Sequence, residues 1–465
     1  MLKIMKKNQN TTLIHLKTKS EKKEEIKSEK KEEIKSEKNK NENQALKERI
    51  KLKETNLNEL DYFRLFFTNE ILEQFAMESY IFFKKKLADS YGGDFNEFKE
   101  TVLGSYGKGN SMPYLFVSRG ISKEDILSYI GIKVYMDLHP LADVKSYWNS
   151  GTKFINIGTV MSKNYFFLIS KAIHFPEKEG EIKEGKNFDT NFKIGPKNQM
   201  NLYYSKLCKN YQQYYELGQN ATIDESMQHF AGKKKSINLM RQKKESGFKI
   251  YLLSDSETGY LYNMYFDPGK NPNEAPPAHK NTNINVSENV VLKLISCLTD
   301  KKKRNLFFEE HYSSQNLMKK LNEIDTLSIT ILGPNSKTKT KTKNNDENES
   351  KNGDLIQTTS DDSKNDKLLN NKGVEAFDYD LEILNSDRSS RKWYPKVIFF
   401  GVDASMINAK ILYEFRTGKS ISLYDFKEKV CKLIFKLYRE YTKKNTPSDK
   451  KNNTQSDKKN IPTDK

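Results

Sequence analysis

The chain has 465 residues, 35% of them hydrophobic and 31% charged, with a formal net charge of +18; it is long enough for two or three domains but too polar to fold throughout. Its three cysteines, Cys208, Cys297 and Cys431, are too far apart for a disulfide framework or a Cys-x-x-Cys metal knuckle, and read as buried apolar residues of a reducing compartment. MLKIMKKNQNTTLIHLK at the start lacks a signal-type apolar run, and no stretch has the ~18 apolar residues that span a bilayer, so an intracellular, soluble protein without a membrane partner is expected.

Residues 1–58 read as a disordered charged tail. Within it KSEKKEEI occurs at Lys19–Ile26 and again at Lys27–Ile34, a period that matches no heptad seam. From 59 to 215 the pattern is helical. Leu65, Phe66 and Phe67 lead into ILEQFAMESYIFFKKK, Ser122 precedes KEDILSYIGIKVYMDL with Asp125 placed for a capping box, and NYFFLISKAIHF follows Met161-Ser162-Lys163.

The period then shortens to that of strands. NATIDESM (Asn220–Met227) enters a short strand; FKIYLLSDS and GYLYNMYF form a hairpin with Glu257-Thr258-Gly259 at its turn. SENVVLKLISCL (Ser287–Leu298) is expected as a helix with a Ser cap, NLFF as a buried strand, SSQNLMKKLNEI as a helix and DTLSITIL as a strand. That order is the order of an RNase H-like α/β layer, a mixed sheet flanked by helices, assigned to 216–336 and 373–437. The polar stretch 337–372 reads as a disordered insertion, and the Pro/Asn/Lys-rich 438–465 as a disordered tail.

TIDESMQHFAG at Thr222–Gly232 resembles the piggyBac transposase signature IDES-x-x-x-F-x-G. Other blocks resemble that family in the same order: FTNE at Phe67–Glu70, Tyr147-Trp148, Met161-Ser162 with Phe166, His174 and Phe175, Gly259-Tyr260 with Gly269-Lys270, and Lys392, Trp393, Asp403, Asn408 and Ala409. The resemblance spans roughly residues 60–437, and the shared order makes it specific.

The resemblance implies a two-Mg²⁺ site of three aspartates and a nearby fourth. The first falls on Asp224. The family's DNFYTS reads here as Glu309-Glu310-His311-Tyr312-Ser313-Ser314, and its Gly-Val-Asp-x-x-Asp as Gly373-Val374-Glu375-Ala376-Phe377-Asp378. The implied catalytic and metal-binding set is thus Asp224, Glu309, Glu375 and Asp378, with glutamate for aspartate at two positions. Mg²⁺ needs oxygen ligands at about 2.0–2.1 Å in near-octahedral geometry, so an added methylene matters even though charge is kept.

The positive charge favours a polyanionic partner, nucleic acid before acidic lipid. Double-stranded DNA would be met by Lys233, Lys234, Lys235, Arg241, Lys243, Lys301, Arg304, Arg391 and Lys392, with Trp393 available to stack on an unpaired base. No cysteine or histidine follows Cys431, so the zinc module that closes many family members is not expected, and neither is a His-metal site. The expectation is a nuclear, transposable element-derived protein that binds DNA and whose transposase activity is impaired or lost. An active cut-and-paste transposase is the first alternative; a scaffold without DNA binding, or a relic reading frame, is the second. Synapsis of two DNA ends favours a homodimer, though no residue pattern encodes one.

Overall fold

The computed structural model describes residues 47–53, 56–90, 93–105, 111–149, 155–174, 196–229, 240–242, 245–267, 286–298, 304–309, 312, 314–323, 327–331 and 393–445. The expected insertion and most of both expected tails lie outside these residues. The chain divides into 1–51 and 52–465; of the first unit, only Lys47–Lys51 is described, including one helical turn. The second unit has its own core, which begins at the buried Leu52, inside the stretch expected as tail.

Helix α1 (Glu59–Phe66) opens at Asn58 with a capping box closed by Asp61. Then come α2 (Asn69–Ser90), α3 (Phe95–Ser105), α4 (Met112–Arg119), α5 (Lys123–Leu138), α6 (Lys163–Ala172) and α7 (Pro196–Tyr214). The expected capping box at Ser122 and Asp125 is present, and Ser122 and Ser162 each accept a backbone N–H of the first turn. Asp125 does more than cap. Buried at 1% exposure, it accepts from Arg119 Nη2 (2.9 Å), Tyr165 Oη (2.9 Å) and Tyr438 Oη (2.6 Å). Burial and the neighbouring Asp125 carboxylate push both phenols far above their usual pKa, so both remain donors.

The sheet comprises β1 (Asn220–His229), β2 (Met240–Gln242), β3 (Glu245–Asp255), β4 (Leu261–Asp267), β5 (Asn305–Glu309) and β6 (Leu327–Ile331). Its order is β2-β3-β1-β5-β6, with β4 also on β3. β3 runs antiparallel to β1, whereas β5 and β6 run parallel to it. This is the mixed RNase H-like topology expected. The β3–β4 turn is fixed by Asp255, whose carboxylate accepts the N–H groups of Glu257 (3.0 Å), Thr258 (3.2 Å) and Gly218 (2.8 Å). Gly259 closes it at φ 72°, where a side chain would be strained.

Helices α8 (Val286–Ile295) and α9 (Gln315–Glu323) alternate with the parallel strands. The cap of α9 is Ser314, which accepts from Leu317 N (3.0 Å). Helix α8 begins at Val286, so Ser287, expected as the residue before the helix, lies within its first turn.

Two long helices complete the fold, α10 (Trp393–Thr417) and α11 (Leu423–Lys444). Nearly every side chain from Lys396 to Ala409 is buried, as in a helix enclosed on all sides. α10 packs on α1 and α7, while α11 packs on α5 and α1. The C-terminal helix therefore sits with the helical region, and it continues past the expected tail boundary at 437.

Asn408 explains the Asn-Ala block of the last motif: its amide accepts Leu261 N (2.9 Å) and donates to Leu261 O (2.8 Å), pinning β4 to α10. Close packing also accounts for Gly401. A Cβ there would lie 2.4 Å from Tyr203 Oη and 2.7 Å from Leu207 Cδ1. Gly401→Ala should therefore cost about 1–3 kcal/mol in urea unfolding despite alanine's helix propensity. Stabilisation by alanine would show that α7 and α10 have room between them for a methyl group.

Cys208 and Cys431 are buried as expected, and burial raises both thiol pKa values. Cys297 departs from that expectation: it is half-buried, with its Sγ donating to Leu294 O (3.3 Å). No helix among the described residues is long and apolar enough to cross a membrane.

Candidate active site

Asp224 lies near the middle of β1, past the end of its pairing with β5. The register of that parallel pair runs Asn220–Asn305, Ala221–Leu306 and Thr222–Phe307. Carried two residues further, it brings Asp224 level with Glu309, the last residue of β5. Glu309 in turn pairs with Ile331 on β6. Two of the four implied carboxylate positions thus stand on neighbouring strands, at the edge where β5 ends and the chain leaves the sheet. Asp224 is half-buried, and its Oδ1 accepts Glu225 N (2.7 Å). Glu375 and Asp378 lie outside the described residues, as do Glu310 and His311.

Behind this edge is a cluster that the motif does not predict. Glu225 accepts Lys249 Nζ on Oε1 and the Tyr312 hydroxyl on Oε2. Tyr251 is opposite Glu225 in the β1–β3 register, and its ring meets that of Tyr312 edge-on at 6.3 Å. Burial, then the Glu225 carboxylate, drives the Tyr312 pKa far upward, which keeps the hydroxyl a donor. Ser314, the last residue of the same motif, donates to Glu288 of α8, whose other oxygen accepts Asn316 Nδ2 (3.0 Å). The retained Tyr312 and Ser314 therefore connect the second carboxylate block to β1 and α8. No spacing in the sequence indicates Glu225 as the partner of Tyr312.

The DNA-contact candidates are distributed differently. Arg304 is a correction: at 3% exposure it donates to Gly218 O (3.2 Å) and Leu217 O (3.5 Å). Carbonyls at the buried approach to β1 require donors, and the guanidinium supplies them from inside the fold. Arg241 belongs to β2 and Trp393 opens α10. Lys233, Lys234, Lys235, Lys243, Lys301, Arg391 and Lys392 lie outside the described residues.

A basic surface that sequence reasoning missed runs along α11. Lys429, Lys432, Lys436 and Lys443 are exposed and Arg439 is half-buried. Their spacing keeps them on one helical face, opposite the buried Leu423, Phe426, Val430 and Ile434. Lys429 pairs with Glu59 (3.0 Å), Lys432 pairs with Glu428 (2.8 Å), and Arg439 donates to Thr159 Oγ1 (2.8 Å). The apolar period and the opposing cations were legible, but a tail boundary at 437 divides the ridge.

The strand order is that of an RNase H-like fold. Residues 58–369, about two thirds of the chain, match the family model described as Transposase IS4, and the chain belongs to this piggyBac-type transposase family. The match ends before Glu375 and Asp378. Among solved structures, the chain is similar to a cryo-EM structure of a piggyBac transposase synaptic complex with hairpin DNA. The TM-score is 0.60 at 16% identity, covering 84% of this chain and 82% of that one, a likeness of fold. No curated protein matches the chain.

An oxygen-only pair such as Asp224 and Glu309 suits Mg²⁺ in donor type. Among the described residues no group of three or more His, Cys, Asp or Glu converges to hold a metal. The described part of the site therefore fits the ion in chemistry but supplies too few ligands alone.

Proposed function

We propose that this chain is a transposable element-derived DNA-binding protein of the nucleus whose strand cleavage is impaired or lost. The observation that supports the carboxylate-site reading is the β1–β5 register, which ends at Thr222–Phe307 and, continued two residues, would put Asp224 level with Glu309. Asp224, Glu309, Glu375 and Asp378 would hold the cation. Bound Mg²⁺ would stabilise the attacking and leaving oxygens of an in-line displacement at phosphorus. Asp224 and Glu309 would fix its place relative to the sheet, while the helices keep the strands packed. Glutamate at 309 and 375 extends the ligand arm by a methylene. Displacement of a catalytic group by about 1 Å can cost about 10²-fold in rate, which is the reason to expect poor cutting.

Nicking of hairpin or element-end DNA by the full chain, with and without Mg²⁺, tests the reading. Slow or absent cleavage is expected. Rapid Mg²⁺-dependent cleavage that disappears in Asp224→Ala would overturn the impairment and establish an active transposase.

Duplex DNA is the proposed partner, and the α11 ridge is a contact surface for its phosphates. Adjacent cations there are three or four residues apart, or about 4.5–6 Å along a helix axis. Lys432→Glu, Lys436→Glu and Lys443→Glu together should weaken DNA retention. The slope of log affinity against log salt should become shallower by about 0.9 for each phosphate no longer neutralised. An unchanged slope would remove α11 from the interface. No binding even at low salt would remove the DNA-binding reading altogether. A homodimer is proposed with it, because synapsis requires two DNA ends to be held together; light scattering of the DNA complex tests that.

A further inference from the structure

We propose that Glu225, Lys249 and Tyr312 form a clamp that sets the separation of the strand segments carrying Asp224 and Glu309, and so positions both carboxylates for a divalent cation. This rests on the carboxylate-site reading above. The backbone pairing between β1 and β5 ends at Thr222 and Phe307. Asp224 and Glu309 both lie beyond it. Past that point, among the described residues, a side chain connects back to β1: Tyr312, three residues after Glu309, donates to Glu225, the residue after Asp224.

The link is well anchored at both ends. Tyr312 is 1% exposed and lies edge-on to Tyr251 at 81°. Lys249 of β3 holds the other oxygen of Glu225, so the carboxylate is gripped from β3 on one side and from the segment after β5 on the other. Adjacent residues of a strand project to opposite faces. Glu225 therefore acts on Asp224 through the backbone, from the far side of the sheet. It and Tyr312 are positioning residues.

Tyr312→Phe keeps the ring against Tyr251 and deletes the hydroxyl that donates to Glu225. Two measurements on the purified full chain test the clamp: Mn²⁺ uptake by electron paramagnetic resonance, and amide hydrogen exchange of the metal-free protein. Mn²⁺ affinity should fall about 10–100-fold, the range for loss of a residue that orients metal ligands. Exchange should accelerate at 224–229 and 305–309 but not in α5. Asp224→Asn should abolish Mn²⁺ uptake while leaving exchange at 305–309 as in the wild type. Wild-type exchange or wild-type Mn²⁺ affinity in Tyr312→Phe would overturn the clamp.

A wild-type chain that takes up no Mn²⁺ would instead overturn the carboxylate-site reading, and exchange alone would then decide whether the clamp holds the strands. Should Tyr312→Phe loosen the whole fold, Glu225→Gln carries the same test. It keeps an oxygen acceptor for Tyr312 but loses the charge facing Lys249, so a smaller local acceleration is expected; none would overturn the clamp.

Discussion

Combining Glu309→Asp with Glu375→Asp should raise Mg²⁺-dependent nicking by about 10²-fold or more, if ligand reach is what limits the site. The four implied positions keep their carboxylates in this chain, so charge is not what has been lost. Each glutamate carries its oxygens one methylene further from the backbone, and Mg²⁺ tolerates little departure from octahedral geometry. The β1–β5 register, continued two residues past its last pair Thr222–Phe307, puts Asp224 level with Glu309, and aspartate at 309 shortens the ligand arm at that level. The double variant should regain cleavage that Asp224→Ala again removes. Failure to regain it, with the fold intact by circular dichroism, would show that the defect lies elsewhere in the motif, where Glu310 and His311 replace an amide and an aromatic residue.

The second large effect concerns stability. Asp403 and Lys427 join α10 to α11 by an ion pair of 2.7 Å, each with a side chain only 1% exposed. Asp403→Asn should lower the unfolding free energy by about 3–5 kcal/mol, because the ammonium of Lys427 then remains buried without its countercharge. Asp403→Leu combined with Lys427→Met should recover most of that stability, since removing both charges also removes the desolvation cost. Urea denaturation of both variants against the wild type measures it. A double variant as unstable as Asp403→Asn would mean that the pair contributes by more than mutual neutralisation. Asp403 belongs to the closing motif block, and its burial against α11 gives that motif a structural reason separate from any cleavage.

Much of the fold was legible because its signals are local. Ser122 with Asp125 closes a capping box at the start of α5 as its spacing indicates. The alternation in FKIYLLSDS and GYLYNMYF, interrupted by Glu257-Thr258-Gly259, leads directly to the β3–β4 hairpin. The order of strands and helices then allows few topologies, of which the RNase H-like sheet is the one found. Asp224 followed from its motif. The short β2 did not, and neither did the true start of α8, because helix ends are set partly by what packs on the first turn, here Glu288 against Ser314.

What the sequence determined by itself is therefore the class of fold and the family membership, both of which depend on residues close together in the chain. The tertiary structure decided which charged groups face inward. Arg304 reads as a phosphate contact beside a lysine run, yet it is consumed by the carbonyls of Leu217 and Gly218. Glu225 reads as one more letter of IDES, yet it holds Tyr312 from 87 residues away. The cations of α11 read in part as tail, yet packing of the opposite face on α5 and α1 turns them outward as one ridge. The physical reason is common to all three. A charge's role is fixed by what desolvates and pairs it, and those partners are brought together only when distant segments pack.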